Sequence, residues 1–292
     1  MSVPMAYISV IIIWSTTPLA VYWSSLEAGF IFGATSRMVI GAVLATMAAA
    51  VLGSGLKWHR RAVIAYAVSG FGFFAGMMSV YWAAQYVPTG WISLIYGLMP
   101  ILTALMAHRF LEGESLTGHR MLGMAIGLAG LAVIFGNGFM LSIQAVLGIA
   151  GVLIAATIHA GVSVAIKRLG TELPAITMTS GGLLFAAPLY LMALWLSATP
   201  LPSELAPKTL AAIGYLSLFG SVFGFALYYY VLKNVEATRT SLITLISPVL
   251  ALTLGNILNG EALTPSILAG ALLILSGLAM FEMGEKLGLQ RS

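Results

Sequence analysis

Long apolar runs separated by short polar segments make up nearly the whole chain. A helix of about 20 apolar residues crosses the roughly 30 Å hydrocarbon core of a bilayer. Ten runs close to that length can be marked. Their limits are 5–25, 30–54, 62–86, 89–109, 120–137, 145–166, 174–197, 208–232, 239–258 and 264–283. We therefore predict an all-α polytopic membrane protein with ten transmembrane helices and no separate soluble domain.

The composition leads to the same fold class. Hydrophobic residues make up 60% of the chain and charged residues only 8%, whereas soluble domains carry about 25% charged residues. Residues 1–4 contain no basic residue, and no small-residue cleavage site follows the first run. We expect this run to stay as a membrane helix rather than be removed as a signal peptide. The lipid bilayer is thus the expected environment.

The basic residues predict the orientation. With the N-terminus inside, the inner loops and the C-terminal tail hold eleven of the thirteen Lys and Arg residues, the outer loops hold Lys208 alone, and Arg37 lies within a run. Such a bias is typical of cytoplasmic loops. We predict a multi-pass protein of the bacterial inner membrane with both termini in the cytoplasm. Because these residues lie in short loops rather than in one patch, the net charge of +4 does not indicate nucleic-acid binding.

The chain also repeats itself. Residues 111–117 (Leu-Glu-Gly-Glu-Ser-Leu-Thr) match residues 258–264 (Leu-Asn-Gly-Glu-Ala-Leu-Thr) at an offset of 147, and Pro100 matches Pro248 at an offset of 148. Helices 1–5 therefore correspond to helices 6–10. Because five is odd, the two halves must lie in opposite orientations, and inverted repeats are typical of secondary transporters.

This pattern resembles the EamA-type branch of the drug/metabolite transporter superfamily over essentially the whole chain. Trp14 and Arg37 also match the family pattern, while the second half has His159 and Gly182 near the corresponding positions. The resemblance implies two EamA-like repeats, residues 1–139 and 140–292, and export of amino acids, metabolites or drugs. The many Trp and Tyr residues make the chain most similar to the aromatic amino-acid exporters of that branch.

The acidic residues bear on the mechanism. All nine are Glu, and each falls in a loop or near a helix end. Carriers that exchange protons commonly hold a carboxylate near the membrane midplane, so the sequence favours facilitated diffusion or coupling through a histidine. Glu114 and Glu261 lie in the repeated turns. They either accept backbone N–H groups at the start of the next helix or act as proton sites, and we favour the structural role.

Two residues with ionisable side chains, His159 and Arg37, lie deep within the predicted spans rather than near their ends. His159 either forms a hydrogen bond between helices or contacts substrate and protons, since the usual histidine pKa of about 6.5 permits switching. Ser163 follows one turn later, but without an orienting acid the pair does not predict hydrolysis. Arg37 either extends to the outer headgroups or faces a central cavity, where it would bind a substrate carboxylate.

Aromatic and hydroxyl side chains predict a pocket for a partly polar ligand, although the same residues suit a membrane-interface belt or a packed core. The candidates that complete the substrate pathway are Trp14, Thr17, Met78, Tyr81, Trp82 and Tyr96. Glycine pairs four residues apart at 72/76, 123/127 and 220/224 allow close helix packing. The internal prolines Pro18, Pro100 and Pro248 are predicted hinges.

Other functions fit the sequence less well. The chain has no nucleotide-binding loop, no acidic magnesium cluster and no cysteine, so we expect no enzyme activity, no metal and no cofactor. We expect a monomer that binds a small-molecule substrate, with a dimer as the alternative. A channel, a proton-coupled drug carrier and a sugar or nucleotide-sugar transporter remain as alternatives at this point.

Overall fold

The computed structural model describes residues 2–111, 117–136, 142–198, 201–234 and 237–283, and this part of the chain consists of helices and loops without a strand. Ten helices follow one another along the described segments. Their bounds are α1 Val3–Trp23, α2 Gly29–Val51, α3 Arg60–Ala83, α4 Thr89–Phe110, α5 Gly118–Gly136, α6 Ile143–Leu169, α7 Ala175–Leu196, α8 207–234, α9 Ala237–Asn259 and α10 Pro265–Met283. Each overlaps one predicted apolar run.

Helix length and composition confirm a polytopic α-helical membrane protein. Among the described residues, α1, α2, α3, α4, α6, α7 and α8 contain segments long and apolar enough to cross a membrane. Shorter apolar stretches lie in the other three helices, at Gly118–Ile134, Ile246–Asn259 and Pro265–Phe281. The count of ten spans therefore stays a prediction. The predicted boundary between residues 139 and 140 lies outside the described residues.

Three helices depart from regular α geometry. A π-helical turn covers Gly72–Gly76 in α3, and a longer one covers Leu216–Phe223 in α8. In α4, a turn at residues 97 and 98 separates Thr89–Tyr96 from Met99–Phe110. Pro100 stands in the first turn of that second segment, where a missing N–H costs little. By contrast, the helices around Pro18 and Pro248 run on without a break.

Helices α5 and α10 approach each other so closely that only glycine fits. A Cβ atom at Gly123 would lie 2.5 Å from the carbonyl oxygen of Gly277, and one at Gly130 would lie 2.6 Å from that of Gly270. The low-numbered glycine of one helix meets the high-numbered glycine of the other, so the helices are antiparallel. The positions within each helix differ by seven residues, which places them on one face.

The first helix of each predicted half packs on the third and fourth helices of the other half. Helix α1 contacts α8 and α9, and α6 contacts α3 and α4, while α2 and α3 both pack against α7. The main core runs through these contacts and includes the buried side chains of Met38, Tyr81, Ile95, Leu183 and Leu216. The two halves are thus interleaved, and the polar residues of the interior lie between them.

Candidate functional site

Arg37 lies inside the bundle, between the π turn of α3 and the π turn of α8. Its side chain is 1% exposed, so it does not extend to the headgroups. The Nε atom donates a hydrogen bond to the Oγ atom of Ser221 at 3.0 Å, and one terminal nitrogen lies 3.9 Å from the Sδ atom of Met77. Ser221 is in the π turn of α8, and Met77 directly follows the π turn of α3. A single side chain of α2 therefore bridges the two turns.

Small residues make room for this guanidinium. A Cβ atom at Gly220 would lie 3.0 Å from a terminal nitrogen of Arg37, and one at Gly41 would lie 3.1 Å from the Cβ atom of Ser221. A side chain at Gly220 would push the guanidinium away from α8. Gly220, the first member of the predicted pair 220/224, therefore gives α2 and its arginine access to the α8 turn.

His159 and Tyr96 form the second polar contact of the interior. The hydroxyl of Tyr96 lies 2.9 Å from the Nδ1 atom of His159, and that nitrogen lies 3.0 Å from the carbonyl oxygen of Ala155. One ring nitrogen cannot both donate to the carbonyl and accept from the hydroxyl, so only one of these bonds is fully formed in a given tautomer. In either tautomer, the Nε2 atom is shielded and has no hydrogen-bond partner among the described residues.

Gly76 provides the surface on which the His159 ring lies. A Cβ atom at this position would be 2.8 Å from the Nε2 atom, so the ring edge rests directly on the backbone of the α3 turn. Gly72, one turn earlier, receives Val162 in the same way, at 2.8 Å from the Cγ2 atom. The first glycine pair thus positions the histidine of α6 against α3.

Tyr190 of α7 holds the α3 turn in place. Its hydroxyl donates to the carbonyl oxygen of Phe73 at 2.7 Å, with the carbonyl of Phe74 at 3.3 Å. A π turn leaves backbone carbonyls without their regular partners, and this hydroxyl supplies one. Thr35 of α2 in turn reaches the carbonyl oxygen of Tyr190 at 3.3 Å. The turn is therefore a braced feature of the core.

Four of the predicted pathway residues share one region. Three polar rings lie close enough to Arg37 to feel its charge; they are Tyr96, His159 and Tyr190. Tyr81 in turn lies within electrostatic range of Tyr190. The glutamates whose side chains are described lie in loops; they are Glu27, Glu172, Glu204 and Glu261. Within the described part of the chain, no carboxylate pairs with Arg37. This region is consequently a buried cation surrounded by aromatic and hydroxyl groups.

The two predicted tryptophans lie in other contacts. The ring of Trp14 packs against Tyr228 of α8 with ring centroids 4.8 Å apart, and its Nε1 atom would be 3.6 Å from a Cβ atom at Gly224. Trp82 lies against Gly151 of α6 and meets Tyr86 edge-on at 5.2 Å. Both rings therefore pack between helices of different halves, outside the hydrogen-bonded group around Arg37 and His159.

The remaining predicted pathway residues bond locally or pack in the core. The hydroxyl of Thr17 donates to the carbonyl of Ile13 in its own helix, at 2.6 Å. Ser163 is exposed, and its hydroxyl donates to the backbone of His159 rather than to the ring, at 2.9 Å. Met78 is half-buried against the main core. The structure therefore does not join Ser163 to the His159 ring as a nucleophile pair.

Glu261 binds a different helix from the one that the sequence suggested. Its Oε1 atom accepts from the backbone N–H and the hydroxyl of Thr89, at 2.9 and 2.7 Å, and its Oε2 atom accepts from the N–H of Gly90 at 3.1 Å. These donors begin α4, whereas the prediction placed them at the start of α10. A carboxylate is favourable at a helix N-terminus, so Glu261 links α4 to the α9–α10 turn. Glu114 lies outside the described residues.

Sequence reasoning missed Met77, Tyr190 and Ser221. Methionine, tyrosine and serine are common in apolar helices and carry no motif of their own. A signal was nevertheless present, because the glycine pairs 72/76 and 220/224 repeat at an offset of 148. The repeated glycine pairs mark the two π turns: Met77 directly follows the first, and Ser221 lies in the second.

Comparison with known proteins places the chain in a family of transporters. A model of the EamA-like transporter family matches residues 2–136 and 146–283. An uncharacterized transporter of Archaeoglobus fulgidus is 30% identical over 78% of this chain and 80% of its own length. The uncharacterized transporter YoaV of Bacillus subtilis is 27% identical over 95% of this chain and 96% of its own. Both similarities extend over far more of the chain than one of its two predicted repeats.

Two further similarities extend along nearly the whole chain. A probable terminal-alkyne amino-acid exporter of Streptantibioticus cattleyicolor is 24% identical over 92% of this chain and 93% of its own. A crystal structure aligns over 99% of both chains with a TM-score of 0.70 and 23% sequence identity, and this similarity concerns the fold alone.

Proposed function

The chain belongs to the EamA-like transporter family, and we propose that it exports aromatic or large neutral amino acids and related metabolites by alternating access. The observation that carries the proposal is the buried guanidinium of Arg37, which has no carboxylate partner within the described residues. Removing a charge from water is costly unless an opposite charge approaches it. The carboxylate of an amino acid would supply that charge during transport.

The neighbouring aromatic groups suit the rest of such a substrate. Tyr81, Tyr96 and His159 offer ring faces together with hydroxyl and imidazole groups, and Met77 adds a polarizable side chain. This mixture fits a large neutral or aromatic side chain better than a sugar, which would need many polar partners. The Streptantibioticus relative, named a probable terminal-alkyne amino-acid exporter, supports an amino acid as the substrate class.

The proposed mechanism uses ten spans arranged as two inverted repeats of five, residues 1–139 and 140–292. Two observations support it. The contacting glycines of α5 and α10 pair crosswise, Gly123 with Gly277 and Gly130 with Gly270, as a two-fold axis in the membrane plane would require. The first helix of each half also packs against the third and fourth helices of the other half. Rocking one half against the other would open the Arg37 region to each side in turn.

Both termini lie in the cytoplasm of a bacterial inner membrane in this proposal. Segments that the Lys/Arg pattern places on one side do meet in the fold. The side chain of Glu27 accepts from the N–H of Ala206 at 2.7 Å, and the hydroxyl of Thr177, in the first turn of α7, donates to the carbonyl of Gly55 at 3.0 Å. Single cysteines in this cysteine-free chain test the orientation. Ser203→Cys should react with an impermeant reagent from outside and Arg168→Cys only from inside; the reverse pattern would contradict it.

We further propose that flux is passive. The interior carries no described carboxylate that could alternate between protonation states, and a zwitterionic amino acid moves no net charge across the membrane. The unpartnered Nε2 atom of His159 favours one alternative, coupling to protons through that ring.

Purified protein in liposomes separates these mechanisms. We expect saturable exchange of labelled tryptophan, phenylalanine and leucine down their gradients, without accumulation when a pH gradient is imposed. Glucose and a nucleotide sugar serve as control substrates. Uphill accumulation that follows the pH gradient would establish proton coupling, while flux that does not saturate would indicate a channel.

A further inference from the structure

A second site lies away from the interior, between the α2–α3 loop and the α6–α7 loop. A cavity of about 500 Å³, open to the surface, lies between the two loops. The residues that line it are Lys57, His59, Arg61, Gly170, Thr171, Glu172, Leu173 and Pro174. The proposed transport pathway does not include the residues of this cavity.

The backbone that carries the cations is held in place. The N–H of Lys57 donates to the hydroxyl of Tyr66 at 3.1 Å, and the Nδ1 atom of His59 accepts from the N–H of Ala62 at 3.3 Å, which caps α3. The ring of Tyr66 itself is fully buried against α7. The cavity wall is therefore anchored to the core rather than formed by a loose loop.

The charges that face the cavity are unbalanced. Lys57 and Arg61 form no ion pair within the described residues, and neither does Glu172, the one carboxylate of the lining. With His59 neutral, two cations therefore face one anion. The hydroxyl of Thr171 is shielded from solvent and has no hydrogen-bond partner in the described part of the chain. The lining thus has an excess of one positive charge and a hydroxyl without a polar partner.

Apolar side chains place the same loop at the membrane surface. Trp58, which directly follows Lys57, is 69% exposed, and Leu52 at the start of the same loop is 68% exposed. Tryptophan prefers the headgroup level of a bilayer. In the proposed orientation both loops face the cytoplasmic leaflet, which carries anionic lipids. We propose that this cavity binds the phosphate of an anionic phospholipid headgroup, with Lys57 and Arg61 as its cationic ligands.

Native mass spectrometry of the detergent-solubilised full chain tests this binding directly. Phosphatidylglycerol is compared with phosphatidylcholine, and thermal unfolding is measured with each lipid. Each cation near an anionic surface contributes enough that Lys57→Gln with Arg61→Gln should weaken the preference for phosphatidylglycerol by about thirtyfold. The control, Arg109→Gln with Arg168→Gln, removes equal charge from the same predicted face outside the cavity and should keep the preference. Because neither readout involves substrate flux, this test is independent of the transport proposal.

The outcomes separate the sources of the phosphate. Selective loss in the cavity variant, together with a preserved fold, supports the lipid site. Equal loss in the control variant would overturn it in favour of general surface charge. Stabilisation of the wild type by millimolar inorganic phosphate in place of lipid would overturn the lipid source. Should the double variant unfold, Lys57→Gln alone and Lys57→Arg provide the comparison, and only the charge-keeping variant should retain the lipid.

Discussion

The π turns of α3 and α8 have related backbones but different surroundings. The pair 72/76 spans the α3 turn, whereas in the pair 220/224 Gly220 lies in the α8 turn and Gly224 directly follows it; the pairs are 148 residues apart. At the second glycine, α3 receives the imidazole of His159, whereas a Cβ atom at Gly224 of α8 would lie 3.3 Å from the Cγ2 atom of Ile13 and 3.6 Å from the indole nitrogen of Trp14. The His159 ring keeps a nitrogen without a partner among the described residues, while the Trp14 ring packs against Tyr228 at an interplanar angle of 35°.

This difference shows that the repeat supplies the scaffold and the side chains supply the chemistry. The second glycine of each pair faces the first helix of the other half, in accordance with the proposed two-fold relation. Arg37 breaks the equivalence, because it contacts the α8 turn by a hydrogen bond and the α3 side only through Met77. A substrate with one charged end and one aromatic end would bind such an asymmetric interior in one direction.

We expect the largest effect on substrate affinity from a substitution of Arg37, the residue that makes the interior asymmetric. Arg37→Gln keeps a donor for Ser221 but removes the charge, and a charge-assisted hydrogen bond contributes about 1.5–3 kcal/mol. We expect the affinity for labelled amino acid to fall by about ten- to a hundredfold in proteoliposomes, with partial recovery in Arg37→Lys. Arg109→Gln removes an exposed cation and serves as the control. Unchanged affinity in a folded Arg37→Gln protein would remove the carboxylate anchor from the proposal.

The second prediction concerns the ring that lies on the α3 turn. Gly76→Ala would force the His159 ring aside, and overpacking of this kind costs about 1–3 kcal/mol. Gly161→Ala lies on α6 next to His159, but its Cβ atom would meet nothing closer than 3.7 Å. We expect thermal unfolding to be earlier for Gly76→Ala only. Equal stability of the two variants would mean that the ring does not depend on this glycine.

The third prediction compares the two rings themselves. His159→Gln retains hydrogen-bonding groups for Tyr96, so we expect downhill flux to fall by less than about tenfold, and we expect no accumulation under a pH gradient in either protein. Trp14→Phe preserves an aromatic contact with Tyr228 and should behave like the wild type. A pH-driven accumulation present in the wild type and abolished only in His159→Gln would assign proton coupling to that ring.

The smallest effect is expected at the edge of the bundle, where Glu261 joins α4 to the α9–α10 turn. Glu261→Gln weakens the interaction with the helix N-terminus, and we expect a loss of about 1 kcal/mol in stability, with transport unchanged at every pH. Glu204→Gln, in an exposed loop, should be neutral in both assays. A change in the pH dependence of transport for Glu261→Gln would instead favour the proton-site interpretation of the repeated turn.

Several features of this protein follow from the sequence alone. The spacing of apolar runs and the scarcity of charge dictate a helical membrane protein, because lipid leaves few other structures with satisfied backbone groups. Arg37 and His159 were identifiable as candidates, since an ionisable residue within an apolar run is costly and therefore conspicuous. The repeated Gly-Glu turn marked the correspondence between the halves.

The tertiary structure decided which of these residues meet. The burial of Arg37 depends on Gly220 of α8, which is distant in the chain, and the partner of Glu261 is the start of α4 rather than the next helix. Tyr190 braces a turn in another helix through backbone carbonyls, which carry no residue-specific signal. Helical periodicity shows which side chains share a face, whereas contacts between distant helices depend on packing that no local pattern specifies.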